Sequence, residues 1–393
     1  MLLVRQVTGP AHAEVGAAVI YRVTEWNQAD PDPADTAAVH WLVKTQDGGV
    51  LLHQRDQGLE LILEIPGTWA GHSAVVMPYL RSPTTRISVA TAVPAQPPSV
   101  DEPKNVEVER EGSRLYARIN GEPRFYIGSD VRYGSRRGLA NLYNPQGPLY
   151  HPEDWEGAHG HWAWYLYPTI RCESRGFFTC LNTYDRARFT FGPTQLAAHT
   201  PDDNFVAILR EMLDLPAAQA YFPDLTVIDG RVHRRLDGGT ESLESADSTA
   251  ALQDYLNPDE SAVDDTESDR AARVIDWCTR DPALRALNIR FSVEQQRRKL
   301  AHYATRLPLD GLVDKLVLVV LDVLHQGRGG FQSLRRALAD DDPFDALLNI
   351  GSSSYRERVA TLRLGIRELE EQGHVGRRVY SRSAGDFVVP EGA

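Results

Sequence analysis

With three cysteines in 393 residues the chain has no disulfide framework and must rely on hydrophobic cores. Cys172 and Cys180 either pair in an oxidising compartment or stay as buried thiols. No apolar run reaches the roughly 18 residues that a bilayer span needs. The longest, Leu312–Leu324 (LVDKLVLVVLDVL), is broken by charges and reads as a buried helix, so no membrane insertion is expected. Basic residues are outnumbered, 42 against 54 acidic, and the net charge of −12 argues against a nucleic-acid partner. The N-terminus lacks a basic stretch followed by an apolar core, so no signal peptide is expected. Phosphate-cradling glycine loops, a nucleophile elbow and a Cys-His protease signature are also missing. His151, His159 and His161, with Glu153 and Asp154, match no zinc spacing, so neither metal nor cofactor is expected.

What is there suggests several domains. Residues 1–97 carry short runs with period-two alternation, such as AVHWLVKT, GLELILEI and AVVMPYL, bounded by turn residues. The pattern resembles an immunoglobulin-like sandwich, though without the paired cysteines of antibody domains. Pro94–Pro103 (PAQPPSVDEP) reads as an extended linker. Residues 98–150 follow as a small β module with connecting loops, its strands punctuated by Glu-Gly and Asn-Gly pairs. Helical periodicity dominates residues 151–393, and the acidic stretch Asp237–Asp269 reads as a solvated connection.

One window carries chemistry, CESRGFFTCLNTYDRARFTFGPTQLAAHT, from Cys172 to Thr200. Glu173 falls at the end of a helix beginning near His161. There the negative end of the helix dipole and the aromatics Trp164, Tyr167, Phe177 and Phe178 favour a protonated carboxyl. Such a group can protonate a leaving glycosidic oxygen. The polar run Asn182–Asp185, followed by alternating RARFTFG, predicts a β-hairpin folding back over the helix end. Asp185 and Thr190 then face Glu173 across a cleft and activate a water, or serve as an Asx-turn residue and an ordinary strand threonine.

Glu173-Ser174 at a helix end, followed by the Gly192-x-x-Gln195-Leu196 turn, resembles the lysozyme superfamily, in particular the soluble lytic transglycosylases. The order Glu, Asp, Thr is similar to phage-type muramidases and chitosanases. The match spans about thirty residues. Asp185 lies further from Glu173 than in phage-type muramidases, and Pro193-Thr194 replaces an apolar pair. The resemblance implies Glu173 as general acid, Asp185 and Thr190 as the water-activating pair, and Gln195 as a substrate-positioning residue. The fold class it implies is multidomain: an N-terminal all-β immunoglobulin-like sandwich and a C-terminal, mainly α lysozyme-like domain with a small β-hairpin.

Arg171, Arg175, Arg186 and Arg188 surround the candidate acid; local positive charge in an acidic protein either suits a carboxylate-bearing polymer such as peptidoglycan or pairs with neighbouring acids. Tyr184, Arg186 and Arg188 are candidate substrate contacts on the hairpin. His325 and Arg328, in LDVLHQGRGGF, either line the cleft from the far lobe or form a helix C-cap with a structural histidine. The expected function is a peptidoglycan muramidase, with a lytic transglycosylase, a chitosanase or a non-catalytic wall-binding or tail-structural protein as alternatives. Without a signal peptide, delivery by a contractile injection apparatus (type VI secretion) to a rival's cell wall is expected. The secretion apparatus and an immunity protein are then partners beside the glycan strand.

Overall fold

The computed structural model describes residues 2–13, 18–28, 31–45, 50–54, 58–65, 69, 71–84, 86–93 and 103–390. The chain divides into two compact units, Met1–Ser99 with Thr279–Pro282, and Val100–Cys278 with Ala283–Ala393. Except for Pro103, the expected proline-rich linker lies outside the described residues.

The first unit is mostly β: β1 (Val4–Thr8), β2 (Ala18–Trp26), a short α1 (Pro33–Ala37), β3 (His40–Thr45), β4 (Val50–Gln54), β5 (Glu60–Glu64), β6 (Ser73–Tyr79) and β7 (Val89–Ala92). They form two antiparallel sheets, ordered β1-β2-β5 and β4-β3-β6-β7. Alternation does the folding here. Tyr21 and Val23, Trp41 and Val43, Leu61 and Leu63, and Ala74 and Val76 are two-residue steps that all enter one core. The buried Trp41 indole N–H donates to the Gly58 carbonyl at 3.0 Å, and the Tyr21 hydroxyl meets Thr91 Oγ1 at 2.7 Å, so these rings bury without stranding a polar atom.

The second unit opens with β8 (Val106–Glu111), β9 (Arg114–Ile119), β10 (Phe125–Tyr133) and β11 (Arg136–Ala140). Asn120 and Gly121 both adopt positive φ between β9 and β10, the conformation their short polar or absent side chains tolerate. Next come α2 (Pro152–His159) and α3 (His161–Ser174), then a meander of three two-residue strands, β12 (Leu181–Asn182), β13 (Thr190–Phe191) and β14 (Leu196–Ala197). β12 pairs with β11, so all seven strands form one antiparallel sheet ordered β14-β13-β12-β11-β10-β9-β8. Residues 103–150 therefore share a sheet with the hairpin that follows Glu173.

The remainder is α4 (Asn204–Met212), α5 (Ala218–Tyr221), a sheet of β15 (Leu225–Ile228), β16 (Arg231–Leu236) and β17 (Gly239–Ser242), α6 (Ala250–Leu256), α7 (Asp265–Arg280), α8 (Pro282–Ala304), α9 (Asp314–Gln326), α10 (Phe331–Leu338), α11 (Pro343–Asn349), α12 (Arg356–Glu371), and a hairpin of β18 (Val379–Ser381) and β19 (Asp386–Val388). The described residues of this unit hold eleven helices, and one hydrophobic cluster runs from Leu115 on β9 to Phe387 on β19. Asp237–Asp269, expected as a solvated connection, instead contributes β17, α6 and the first turn of α7, with Glu244 and Glu267 buried. Arg210 neutralises Glu244, its Nε lying 2.8 Å from the carboxylate. No helix among the described residues is long and apolar enough to cross a membrane.

A cavity at the end of α3

Trp162, Tyr165, Leu166, Thr169 and Ile170 recur at the 3-4-3-4 spacing of a buried helical stripe, which anchors α3 in the core and leaves Glu173 on its flank. The helix ends where Arg175 and Gly176 both take positive φ. Ser174, the second residue of the Glu-Ser pair, donates its hydroxyl to the Ile170 carbonyl at 2.9 Å, and its own carbonyl accepts from the Cys180 thiol at 3.2 Å. Cys172 and Cys180 are free thiols, each pushed up to about 12 chiefly by burial.

A cavity of about 520 Å³ opens beside this helix end. Of the residues singled out in the sequence, Glu173, Tyr184, Asp185, Arg186, Thr190, Gln195 and His325 line it. Arg188 and Arg328 do not. Arg188 binds the Asn257 carbonyl through Nε at 3.0 Å and Asp254 at 2.7 Å, pinning the hairpin to the segment after α6. Arg328 is buried and donates to the Leu348 and Ile350 carbonyls and to Asp322, closing the end of α9. Both satisfy backbone carbonyls that folding strands, and neither lines this cavity.

Glu173 is only 14% exposed, and its Oε1 lies 3.1 Å from His325 Nε2 and 2.8 Å from an Arg358 guanidinium nitrogen. Arg358, on α12, also holds the fully buried Asp322 of α9 at 2.7 Å. Thus α3, α9 and α12 meet in one network in which Glu173 and Asp322 balance Arg358 and Arg328. Burial alone would raise the Glu173 pKa. The His325 hydrogen bond and the Arg358 charge outweigh it and hold the carboxyl at about 2. The expected neutral carboxyl is therefore corrected: Glu173 is ionised, because a cation from a distant part of the chain overrides the helix dipole. Trp164 and Tyr167, expected around it, line a second cavity of about 540 Å³ together with Arg171 and Arg175.

The hairpin wall is built by short strands and tight turns. Asn182 pairs with Thr190, and Thr190 with Ala197. Asp185 accepts the Ala187 N–H at 2.8 Å, which makes it an Asx-turn residue as well as a cavity residue. Burial is the main cause that raises its pKa, against pull-back from that N–H and from the charges of His199, Arg136 and Arg186. Gln195 takes positive φ and spends its amide on its own turn: Nε2 donates to the Gly192 and Cys180 carbonyls, and Oε1 accepts from Asn182. The turn packs on α8. Gly192 has φ +90°, and a Cβ there would stand 2.8 Å from Asn288 Oδ1. Thr194 and Ser292 join their hydroxyls at 2.8 Å.

Four residues of the cavity wall carry a buried polar atom with no partner: Asn182 Oδ1, Thr190 Oγ1, His199 Nδ1 and His325 Nδ1. Unsatisfied buried polar atoms are costly, and their concentration in one wall marks a place where a polar ligand can repay the cost. Lys299 of α8, His199 and Asn204 also line the cavity and were missed in the sequence, as was Arg358, which pairs with Glu173 without lining the cavity. His199 ends the Cys172–Thr200 window and Asn204 follows it closely, whereas Lys299 and Arg358 come from distant helices and carry no local signal. Among the described residues no cluster of three or more His, Cys, Asp or Glu is arranged to hold a metal ion. Comparison with protein-family models, curated proteins and solved structures finds no match to this chain.

Proposed function

We propose that the chain is a lysozyme-like glycoside hydrolase that cuts the glycan strand of peptidoglycan, with Glu173 and Asp185 as its paired carboxylates. The observation that carries this reading is the cavity they share, at the end of one helix and under one hairpin, with their surroundings driving their pKa values apart. Divergent pKa values in one site are how two carboxylates take different parts in acid–base chemistry. Asp185, whose surroundings favour the proton, protonates the leaving glycosidic oxygen. Ionised Glu173 accepts a proton from the water that adds to the anomeric carbon, and Thr190 helps hold that water. The roles are thus exchanged relative to the family resemblance. The N-terminal β unit is an immunoglobulin-like delivery or docking module, and the protein acts in the wall of a target bacterium as a secreted effector.

A turbidity assay on purified sacculi tests the reading. Wild type is expected to clear the suspension, and Glu173→Gln and Asp185→Asn to slow clearing by at least about a hundredfold, the scale of a lost acid or base. Clearing by Glu173→Gln at the wild-type rate contradicts it. A second reading is favoured by the double pairing of Glu173 with Arg358 and His325, the pattern of a structural ion network: a non-catalytic wall-binding protein. On that reading wild type binds sacculi and leaves them intact.

A further inference from the structure

Positive charge near Glu173 was expected from four arginines, and the fold turns three of them elsewhere. Arg171 pairs with Glu368 outside this cavity, Arg175 donates to the Tyr143 carbonyl at 3.1 Å, and Arg188 is held by Asp254 and Asn257. The cation that takes their place is Lys299 on α8, which lines the cavity with Glu173, Asp185 and Arg186.

Lys299 is set up unusually for a lysine. Its ammonium donates to Gln295 Oε1 at 2.9 Å, an uncharged acceptor, and among the described residues no carboxylate lies within 4.0 Å of it to form an ion pair. The two acids whose charges reach it are engaged by other groups. Asp203 is held by Gln295 Nε2 at 3.1 Å and Arg298 at 3.5 Å, and Glu173 by Arg358 and His325. Gln295 is fixed in turn, since its Nε2 also donates to Asn204 Oδ1 at 2.7 Å. An ammonium has three donors, and a cation withdrawn from water is costly until an anion meets it. Burial is the leading cause that lowers the Lys299 pKa, as a half-buried cation without an ion-pair partner requires.

We propose that Lys299 is a specificity residue that binds a carboxylate borne by the glycan, so that the cavity selects acidic polysaccharide over neutral or cationic polysaccharide. The proposal rests on the glycan-cleaving reading above and names the substrate class of the same cavity. Gln295 aims the ammonium, and exposed Arg186, whose guanidinium meets His199 Nε2 at 2.9 Å, adds charge at the hairpin side.

The test separates binding from cleavage. Full-length Glu173→Gln protein is titrated by calorimetry with soluble peptidoglycan fragments, and with the same fragments after carbodiimide activation and borohydride reduction of their carboxyls to alcohols. Reduction is expected to weaken binding by about tenfold or more, the worth of one charge-assisted hydrogen bond. Adding Lys299→Met is expected to abolish that difference, and adding Lys299→Arg to keep it. Equal discrimination with lysine and methionine, no discrimination by either, or no binding of any fragment overturns the proposal. Its fate is distinguishable from that of the hydrolase reading. If wild type leaves native fragments uncut while lysine-dependent discrimination persists, hydrolysis fails and Lys299 stands. If wild type cuts native and reduced fragments equally well, hydrolysis stands and Lys299 fails.

Discussion

Arg358 decides the charge of Glu173, because its guanidinium is shared by Glu173 and Asp322. Arg358→Met leaves two buried carboxylates short of a cation, and removing one partner of such a network typically destabilises by about 3–5 kcal/mol. Denaturant unfolding at pH 7 measures this, and a loss below about 1 kcal/mol contradicts it. The variant also changes the pH response. A carboxyl held near 2 when folded, against about 4.3 when unfolded, stabilises fully above the unfolded value and loses that contribution as pH falls toward 2. With Arg358 gone, Glu173 protonates at higher pH, so the acid limb of kcat/KM is expected to move upward by at least one pH unit.

Glu267 shows the opposite sign. Burial, against hydrogen bonds from Thr183 and Leu139, raises its pKa to about 7, and its Oε2 has no partner. The folded state therefore binds the proton more tightly than the unfolded chain, and stability falls as pH rises from about 4.3 to 7. Glu267→Gln keeps an acceptor for Leu139 and Thr183 and removes the charge. Thermal melts are expected to show it a few degrees more stable than wild type above pH 7 and unchanged below pH 4. An unchanged melting temperature at pH 8 contradicts this. At this scale the sequence reveals Glu173, Asp185 and Thr190 because they lie in one short window. Arg358 and Lys299 stay hidden because only folding chooses which distant cation reaches Glu173 or the cavity. Arg188 and Arg328 stand outside the cavity for a related reason: an arginine beside a carboxylate serves a substrate and a stranded carbonyl equally well, and here both hold carbonyls.

Among the elements, the β12–β14 meander depends on Gly192, whose φ of +90° and the 2.8 Å approach of Asn288 Oδ1 to a would-be Cβ both penalise a side chain. Gly192→Ala is expected to cost about 1–3 kcal/mol, the scale of a strained non-glycine residue, and to lower clearing activity by displacing Thr190 and Gln195. An alanine variant with wild-type stability refutes that account. The helices with strong apolar periodicity, α3, α4, α7, α9 and α12, are legible in the sequence, and so is the reversal after Glu173. The alternation of Arg186–Gly192 shows the hairpin, but only Thr190–Phe191 of it becomes strand and nothing in it names a partner sheet, so the union with β8–β11 is not legible. The acidic run hides α6 for a different reason: high charge reads as solvation until Arg210 and Arg231 are brought to Glu244.

At the scale of the whole molecule, the described residues form two cores that share no residue, one drawn from residues 4–93 and one from 115–387. Scanning calorimetry is expected to resolve two unfolding transitions, and a peptidoglycan ligand to raise only the one belonging to the larger core. A single cooperative transition contradicts this. The larger core joins the sheet, the helix end and α12 into the support of one cavity, so the proposed chemistry depends on that unit alone.

The most direct measurement is the analysis of glycan ends released from purified sacculi by wild type and by Glu173→Gln, each at pH 7. The account predicts new reducing ends with wild type and a loss of at least about a hundredfold with the variant, wall binding being retained. Equal release by the two proteins, or release of anhydro-sugar ends in place of reducing ends, contradicts it.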